Sequence, residues 1–254
     1  MIQPDANAPA APEQRALDLP AERVALITGA TGVLGREIAR KFAAGGARLA
    51  LGGTDAARLA AMATELGLAE GAWTAAAGDL RDGAGARSAV QAALDRFGRV
   101  DALIHAVGGW AAGGEVANLD HEIVRDLLDQ HLWTTIHAVQ AVLPGMRARG
   151  SGRVVAVTTP YAERPGKGMA AYAVAKASQE TLLRTLAREV AGSGVTVNVV
   201  AVRTIDAKLE RERAPASANV AWTTPAEIAD AIAFLCSPEA DAINGARIAL
   251  DGRA

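Results

Sequence analysis

Tyr172 and Lys176 stand four residues apart in the run AAYAVAKASQETLLRTLAREV, a spacing that puts a phenol and an ammonium on one helical face. A lysine charge beside a phenol favours the tyrosinate and draws a group that ordinarily titrates near pH ~10 toward working range. Such a pair suits proton donation to a carbonyl undergoing reduction. The same spacing also recurs on solvated helix faces, so it acquires chemical meaning only if other segments bring a reductant and a substrate beside it.

A second segment with chemical potential is TGATGVLG, Thr28 to Gly35, which follows an apolar strand-like run and opens a helix. Gly29, Gly32 and Gly35 let the backbone turn sharply, approach a ligand closely and pack the helix on the strand; the helix N-terminus offers N–H groups and a positive dipole to a pyrophosphate. Thr31 and Leu34 belong to the same turn and join the expected cofactor contacts. A tight strand-to-helix turn with no ligand explains the glycines as well.

The elements that must position these groups alternate along the chain. Strand-like runs such as RVALITG, RLALGG, VDALIHAVGG, RVVAVTT, VTVNVVAV and ARIALDG are separated by helical stretches, including a long one around 121–148. Continuous apolar strands are buried on both faces, and βαβ alternation gives a parallel sheet. The expected fold is α/β, a single Rossmann-type, doubly wound parallel sheet of about seven strands in three α/β/α layers. It spans residues 21–254, after an Ala- and Pro-rich stretch, 1–20, that reads as a disordered leader.

Composition removes several function classes. Half of the 254 residues are apolar and the formal net charge is −2, which gives no case for nucleic acid or an anionic membrane surface. No run of ~20 apolar residues reads as a transmembrane span, and the N-terminus lacks a secretory pattern. Cys236 is the one cysteine, expected as a buried small hydrophobe and compatible with a reducing cytoplasm. The histidines His105, His121, His131 and His137 have no HExxH or cysteine partner, so no metal site is expected, and no GxSxG elbow marks a hydrolase.

From about Arg23 to Gly252 the chain resembles the short-chain dehydrogenase/reductase family. The glycine turn, GDL at 78–80, the glycine-ended fourth strand, GRVVAVTT, YAVAK, VTVNVV and the closing ALDG stand in the family's order. The resemblance implies that Asp79 and Leu80 border the adenine and that His105, Ala106, Val107 and Gly108 run beside the cofactor. It also implies that Lys176 binds the nicotinamide ribose and that the backbone at Thr204 and Ile205 holds the carboxamide. Family members commonly pair the helices at 121–148 and 171–191 across a two-fold axis, which implies a homodimer or homotetramer. The small face Ala171, Val174, Ala175, Ser178 and Leu182 would permit that contact, although burial within one subunit explains it equally.

Departures from the family pattern are informative. The family's catalytic serine is Thr159 here, thirteen residues before Tyr172, with a hydroxyl able to make the same bond to a substrate oxygen. Its asparagine, which holds a water in the proton relay, is His131; imidazole can relay protons, and a structural histidine is the alternative. NNAG becomes HAVG, and the Pro-Gly after the sixth strand becomes Val202–Arg203, with Arg203 read as charged surface. Glu163 and Arg164 read as an exposed, salt-bridged loop.

HAVGGWAAGG, QHLWTT, GMAAYAVAK and APASANVAWTTPAEI are similar to the dihydropteridine reductase branch, whose electron-poor ring accepts hydride without serine or asparagine. Trp110 would offer such a ring a flat wall, or pack on the sheet edge or a neighbouring subunit. At the end of the second strand, Gly52, Gly53 and Thr54 replace the acid or arginine that selects NAD or NADP. The neutral pocket, with Thr54 as donor to a 2′-phosphate, tips the expectation to NADP over NAD.

The sequence thus points to a cytoplasmic NAD(P)(H)-dependent oxidoreductase. Hydride passes to a carbonyl or conjugated imine of a small molecule, either a quinonoid dihydropterin-like ring or a ketone or 3-oxoacyl group. Tyr172 is the proton donor, Lys176 its partner, Thr159 the substrate anchor and His131 a candidate relay. The alternative is a non-catalytic dinucleotide-binding or scaffold homologue.

Overall fold

The computed structural model describes residues 22–111 and 114–252; the expected leader, 1–20, lies outside them. Chain order is β1 (Val24–Thr28), α1 (Val33–Ala44), β2 (Arg48–Gly53), α2 (Ala56–Glu65), β3 (Trp73–Ala77), α3 (Gly83–Phe97), β4 (Ala102–His105), α4 (His121–Leu128) and α5 (Thr134–Arg149). There follow β5 (Gly152–Thr158), α6 (Ala170–Glu189), β6 (Val195–Val202), α7 (Glu210–Arg213), α8 (Pro225–Cys236) and β7 (Arg247–Leu250).

All seven strands pair in parallel in the order β3-β2-β1-β4-β5-β6-β7. β1, β4 and β6 are buried along their whole length, the signature of strands covered on both faces. One apolar layer packs α1, α2 and α8 on the sheet through Ile38, Phe42, Leu59, Met62 and Ile232. The other packs α3, α5 and α6 through Val90, Val142, Met146 and Leu183. Burying each such large side chain stabilises the fold by roughly 1.5–3 kcal/mol. Cys236 is buried in the first layer, and burial pushes its thiol up to about 12. The strand order reverses between β1 and β4, so the loops leaving their C-terminal ends diverge and open a crevice there.

One expectation is corrected, and one pair of alternatives is narrowed for two residues. The helix read across 121–148 is not uniform: a π-helical turn, Asp129–Trp133, joins α4 to α5. On α6, Ala171 and Ala175 are fully buried within the subunit, because they pack beside Leu127 of α4; of the predicted contact face only Val174 is exposed, with Ser178 and Leu182 half-buried.

Candidate active site

Over the C-terminal ends of the strands lies a cleft of about 960 Å³. It is lined by the β1–α1 turn, Gly53 and Thr54 after β2, the 78–81 segment, the loop after β4, the end of β5, Tyr172 and Lys176, and Arg203 and Ile205 after β6. Gly29, Thr31, Gly32, Leu34, Gly35, Thr54, Asp79, Leu80, Ala106, Val107, Gly108 and Trp110 all line it.

The glycine turn is built for a close approach. Gly29 has φ +72°, and a Cβ there would sit 2.7 Å from the Ala106 carbonyl oxygen; a Cβ at Gly35 would run into the backbone of Gly29. No side chain caps α1, whereas Asp55 caps α2 by accepting from the Ala57 and Arg58 N–H groups and Asp82 caps α3 through Ala84 and Gly85. Of these three helices, only α1 presents its first turn to the cleft without a carboxylate over it, which suits an anion. Asp79 is paired with Arg81 at 2.8 Å, and this guanidinium holds the Asp79 carboxyl below its usual range.

Tyr172 and Lys176 come together on α6 at the cleft wall. Lys176 Nζ donates to the Val157 carbonyl at 2.9 Å and to Gln179 Oε1 at 3.1 Å, and burial pushes the ammonium down to about 7 against the opposing pull of Glu180. The Tyr172 phenol is raised, not lowered as the spacing suggested. Burial dominates, the neighbouring Thr159 hydroxyl pulls the other way, and Lys176 spends two of its donors elsewhere. A raised phenol is fully protonated near neutrality, the state a proton donor needs.

Thr159 is buried beside Tyr172 and does not itself line the cleft. Its position is fixed by Arg247 of β7, which donates to the Thr159 carbonyl at 3.1 Å, to Glu180 at 3.1 Å and pairs with Glu163 at 3.2 Å. The loop read as exposed and salt-bridged is therefore tied into the sheet at Glu163. Glu180 completes this layer by accepting from the Thr158 hydroxyl at 2.6 Å.

Besides Thr159, three further expected contacts lie away from the cleft. His105 is buried beneath it, between the hydroxyls of Thr28 (2.9 Å) and Thr134 (3.2 Å), because the last residue of β4 faces α5 rather than the opening. His131 lies in the π turn, fully buried; Nε2 bonds the Gly109 carbonyl at 3.0 Å, and its ring meets Tyr172 edge-on at 5.7 Å. Burial, with the nearby Lys176 charge, pushes both imidazoles down to about 3, so His131 is neutral and unsuited to relaying protons as an acid. Thr204 is absent from the lining, and its carbonyl is occupied by the Thr223 N–H at 3.0 Å, whereas Ile205 does face the cleft.

Other contributors escaped sequence reasoning. Gln130, next to His131, donates to the Gly108 carbonyl at 2.9 Å, so the π turn grips two consecutive carbonyls of the loop after β4. A Cβ at Gly109 would meet the amide end of the Gln130 side chain, which would have to swing away. Gln179 and Glu180 continue the Tyr172–Lys176 face at positions i+7 and i+8, a buried polar stripe whose helical spacing was visible in the sequence.

The family model for short chain dehydrogenases matches residues 23–218. The chain belongs to the short-chain dehydrogenase/reductase family. It is an oxidoreductase with the fold of that family. Subunit BbsC of (2S)-[(R)-hydroxy(phenyl)methyl]succinyl-CoA dehydrogenase from Thauera aromatica is 36% identical over 233 residues, covering 88% of this chain and 90% of that protein. The 3-oxoacyl-[acyl-carrier-protein] reductase FabG of Escherichia coli is 31% identical over 238 residues, covering 91% of this chain and 96% of that protein. The crystal structure of a Brucella melitensis 3-ketoacyl-(acyl-carrier-protein) reductase complexed with NADH superposes with a TM-score of 0.82 at 27% identity, covering 91% of this chain and 98% of that one.

Proposed function

We propose that this chain reduces the keto group of a 3-oxoacyl compound, or oxidises the corresponding alcohol, with Tyr172 as the acid-base residue. The observation that carries this reading is the placement of the Tyr172 phenol at the cleft wall, with Lys176 one turn along α6 and burial favouring the protonated phenol. A proton donor at the cleft wall suits a ketone, whose oxygen takes up a proton as its carbon accepts hydride. The names of the relatives, acting on 3-oxoacyl and succinyl-CoA groups, support the same substrate class.

The glycine cradle and the uncapped α1 fit a nicotinamide dinucleotide. Gly29, Thr31, Gly32, Leu34 and Gly35 would hold its pyrophosphate, Asp79 and Leu80 its adenine, and Lys176 and the Ile205 backbone its nicotinamide half. When bound it supplies the hydride. The chain's own residues do the rest: Tyr172 delivers the proton, Thr159 backs Tyr172 from beneath the cleft, and the Gln130 and His131 contacts keep the loop after β4 in place. Because Asp55 is committed to α2, no acid at the end of β2 is left for a ribose diol, which favours NADP.

Trp110, 64% exposed at the cleft, favours a second substrate class, a flat conjugated ring of the dihydropterin type. The single buried cysteine supports a cytoplasmic site of action. Exposed Val174 on α6 and Trp133 at the end of the π turn that leads into α5 support a homodimer or homotetramer through those helices. Titrating NADPH and NADH against intrinsic fluorescence, then assaying 3-oxoacyl thioesters beside a quinonoid dihydropterin, tests the proposal. Turnover of the thioester with NADPH is the expected result, and turnover of the pterin alone would overturn it.

A further inference from the structure

Gln179 is fully buried in α6, and each of its polar atoms is used. Nε2 donates to the Thr135 hydroxyl at 2.8 Å and to the His131 carbonyl at 3.3 Å, while Oε1 accepts from Lys176 Nζ at 3.1 Å. This arrangement admits only one orientation of the amide. The His131 carbonyl can only accept, and Thr135 directs its own proton to that carbonyl at 2.6 Å, so the NH₂ must face the π turn and the oxygen must face the lysine. A flipped amide would set donors against an ammonium.

We propose that Gln179 is a positioning residue of the reaction centre: with the Val157 carbonyl it takes two of the three Nζ hydrogens, leaving one directed to the cleft, and it ties the lysine to the π turn that holds the loop after β4. The proposal rests on the reading of Lys176 as part of that centre. Two acceptors also hold a neutral amine, so deprotonation changes what Lys176 presents to the cleft, from an N–H to a lone pair, without moving the nitrogen.

The groups facing the ammonium leave Gln179 as a deciding partner. His105 from β4 and His131 from the π turn are neutral at working pH, Tyr172 on α6 is a protonated phenol, and Glu180 on α6 shares its charge with Arg247 of β7. The end of β5 brings Val157 and Thr158, neither of them ionisable.

The chain has four lysines, so the ¹³Cε signal of Lys176 can be followed by NMR in the whole protein and assigned by its loss in K176R. Gln179→Leu removes an acceptor from the charged form and is expected to lower the Lys176 midpoint by about 1 pH unit. Gln179→Glu keeps an acceptor, adds charge and is expected to raise it by about 1 unit. A midpoint in Q179L equal to that of the unmutated protein overturns the proposal; if Q179L does not fold, an unmoved midpoint in Q179E does so. The pH profile of turnover is expected to move in the same directions. Shifted lysine titrations with a fixed turnover profile would overturn the reaction-centre reading while supporting the hold of Gln179 on Lys176.

Discussion

The Nε2 atom of His131 lies 3.0 Å from the carbonyl oxygen of Gly109, and since a carbonyl only accepts, that nitrogen carries the ring proton. His131 therefore acts on the loop beside the cleft, as a donor that holds its backbone.

Acid stability should report this burial. The folded-state values of His105 and His131 are depressed to about 3, so the stability these groups permit is complete above their ordinary value near 6.5. It is lost as pH falls from there toward 3, where the unfolded chain binds protons that the native one refuses. Urea unfolding measured between pH 6 and pH 4 is expected to show a slope shallower by about 1.4 kcal/mol per pH unit in His131→Asn. An unchanged slope would mean that His131 charges in the folded protein.

The glycine turn makes a sharper prediction. Gly29→Ala must place a Cβ against the Ala106 carbonyl at positive φ, at a cost of about 2 kcal/mol or more, and it disturbs the surface where a dinucleotide would lie. A thermal melt together with cofactor titration is expected to show both a lower Tm and weakened binding. Gly67, with φ +63° but no neighbour near its side-chain position, is the control: its alanine variant should lose stability alone.

Cofactor choice separates Asp55 from Thr54. Asp55→Ala removes the cap of α2 and should cost about 1 kcal/mol without changing the NADPH to NADH ratio of kcat/KM. Thr54→Asp places a carboxylate at the cleft and should shift that ratio toward NADH by about tenfold.

The layer behind the site is open to a double-mutant cycle. Arg247→Met leaves the carboxylate of Glu180 buried without its partner and should destabilise by about 3–5 kcal/mol. Adding Glu180→Gln should recover a substantial part of that loss in urea unfolding. Additive losses would show that the pair is not coupled.

What the sequence made legible was local. The glycine turn and the Tyr172–Lys176 pair stand out by short spacing, and the alternation of strands with helices followed from the apolar runs. Much of the rest depends on contacts between distant segments. One π turn inside 121–149 leaves the apolar pattern readable as a single helix while re-aiming Gln130 and His131, so no periodicity marks it. β4 is buried on both faces and lacks the alternation that would have turned His105 away from the cleft. The rise in the Tyr172 phenol comes from burial, which four-residue spacing does not encode. Gln179 and Glu180 are the exception: their spacing on the buried face of α6 carried a signal that the sequence reading passed over.

The central claim is that Tyr172 supplies the proton, and the most direct measurement is the turnover of a 3-oxoacyl thioester with NADPH by Tyr172→Phe. Turnover is expected to fall by a factor on the order of 10² or more, with cofactor affinity by fluorescence titration almost unchanged. Turnover within a factor of about two of the unmutated protein, with the cofactor still bound, would contradict it.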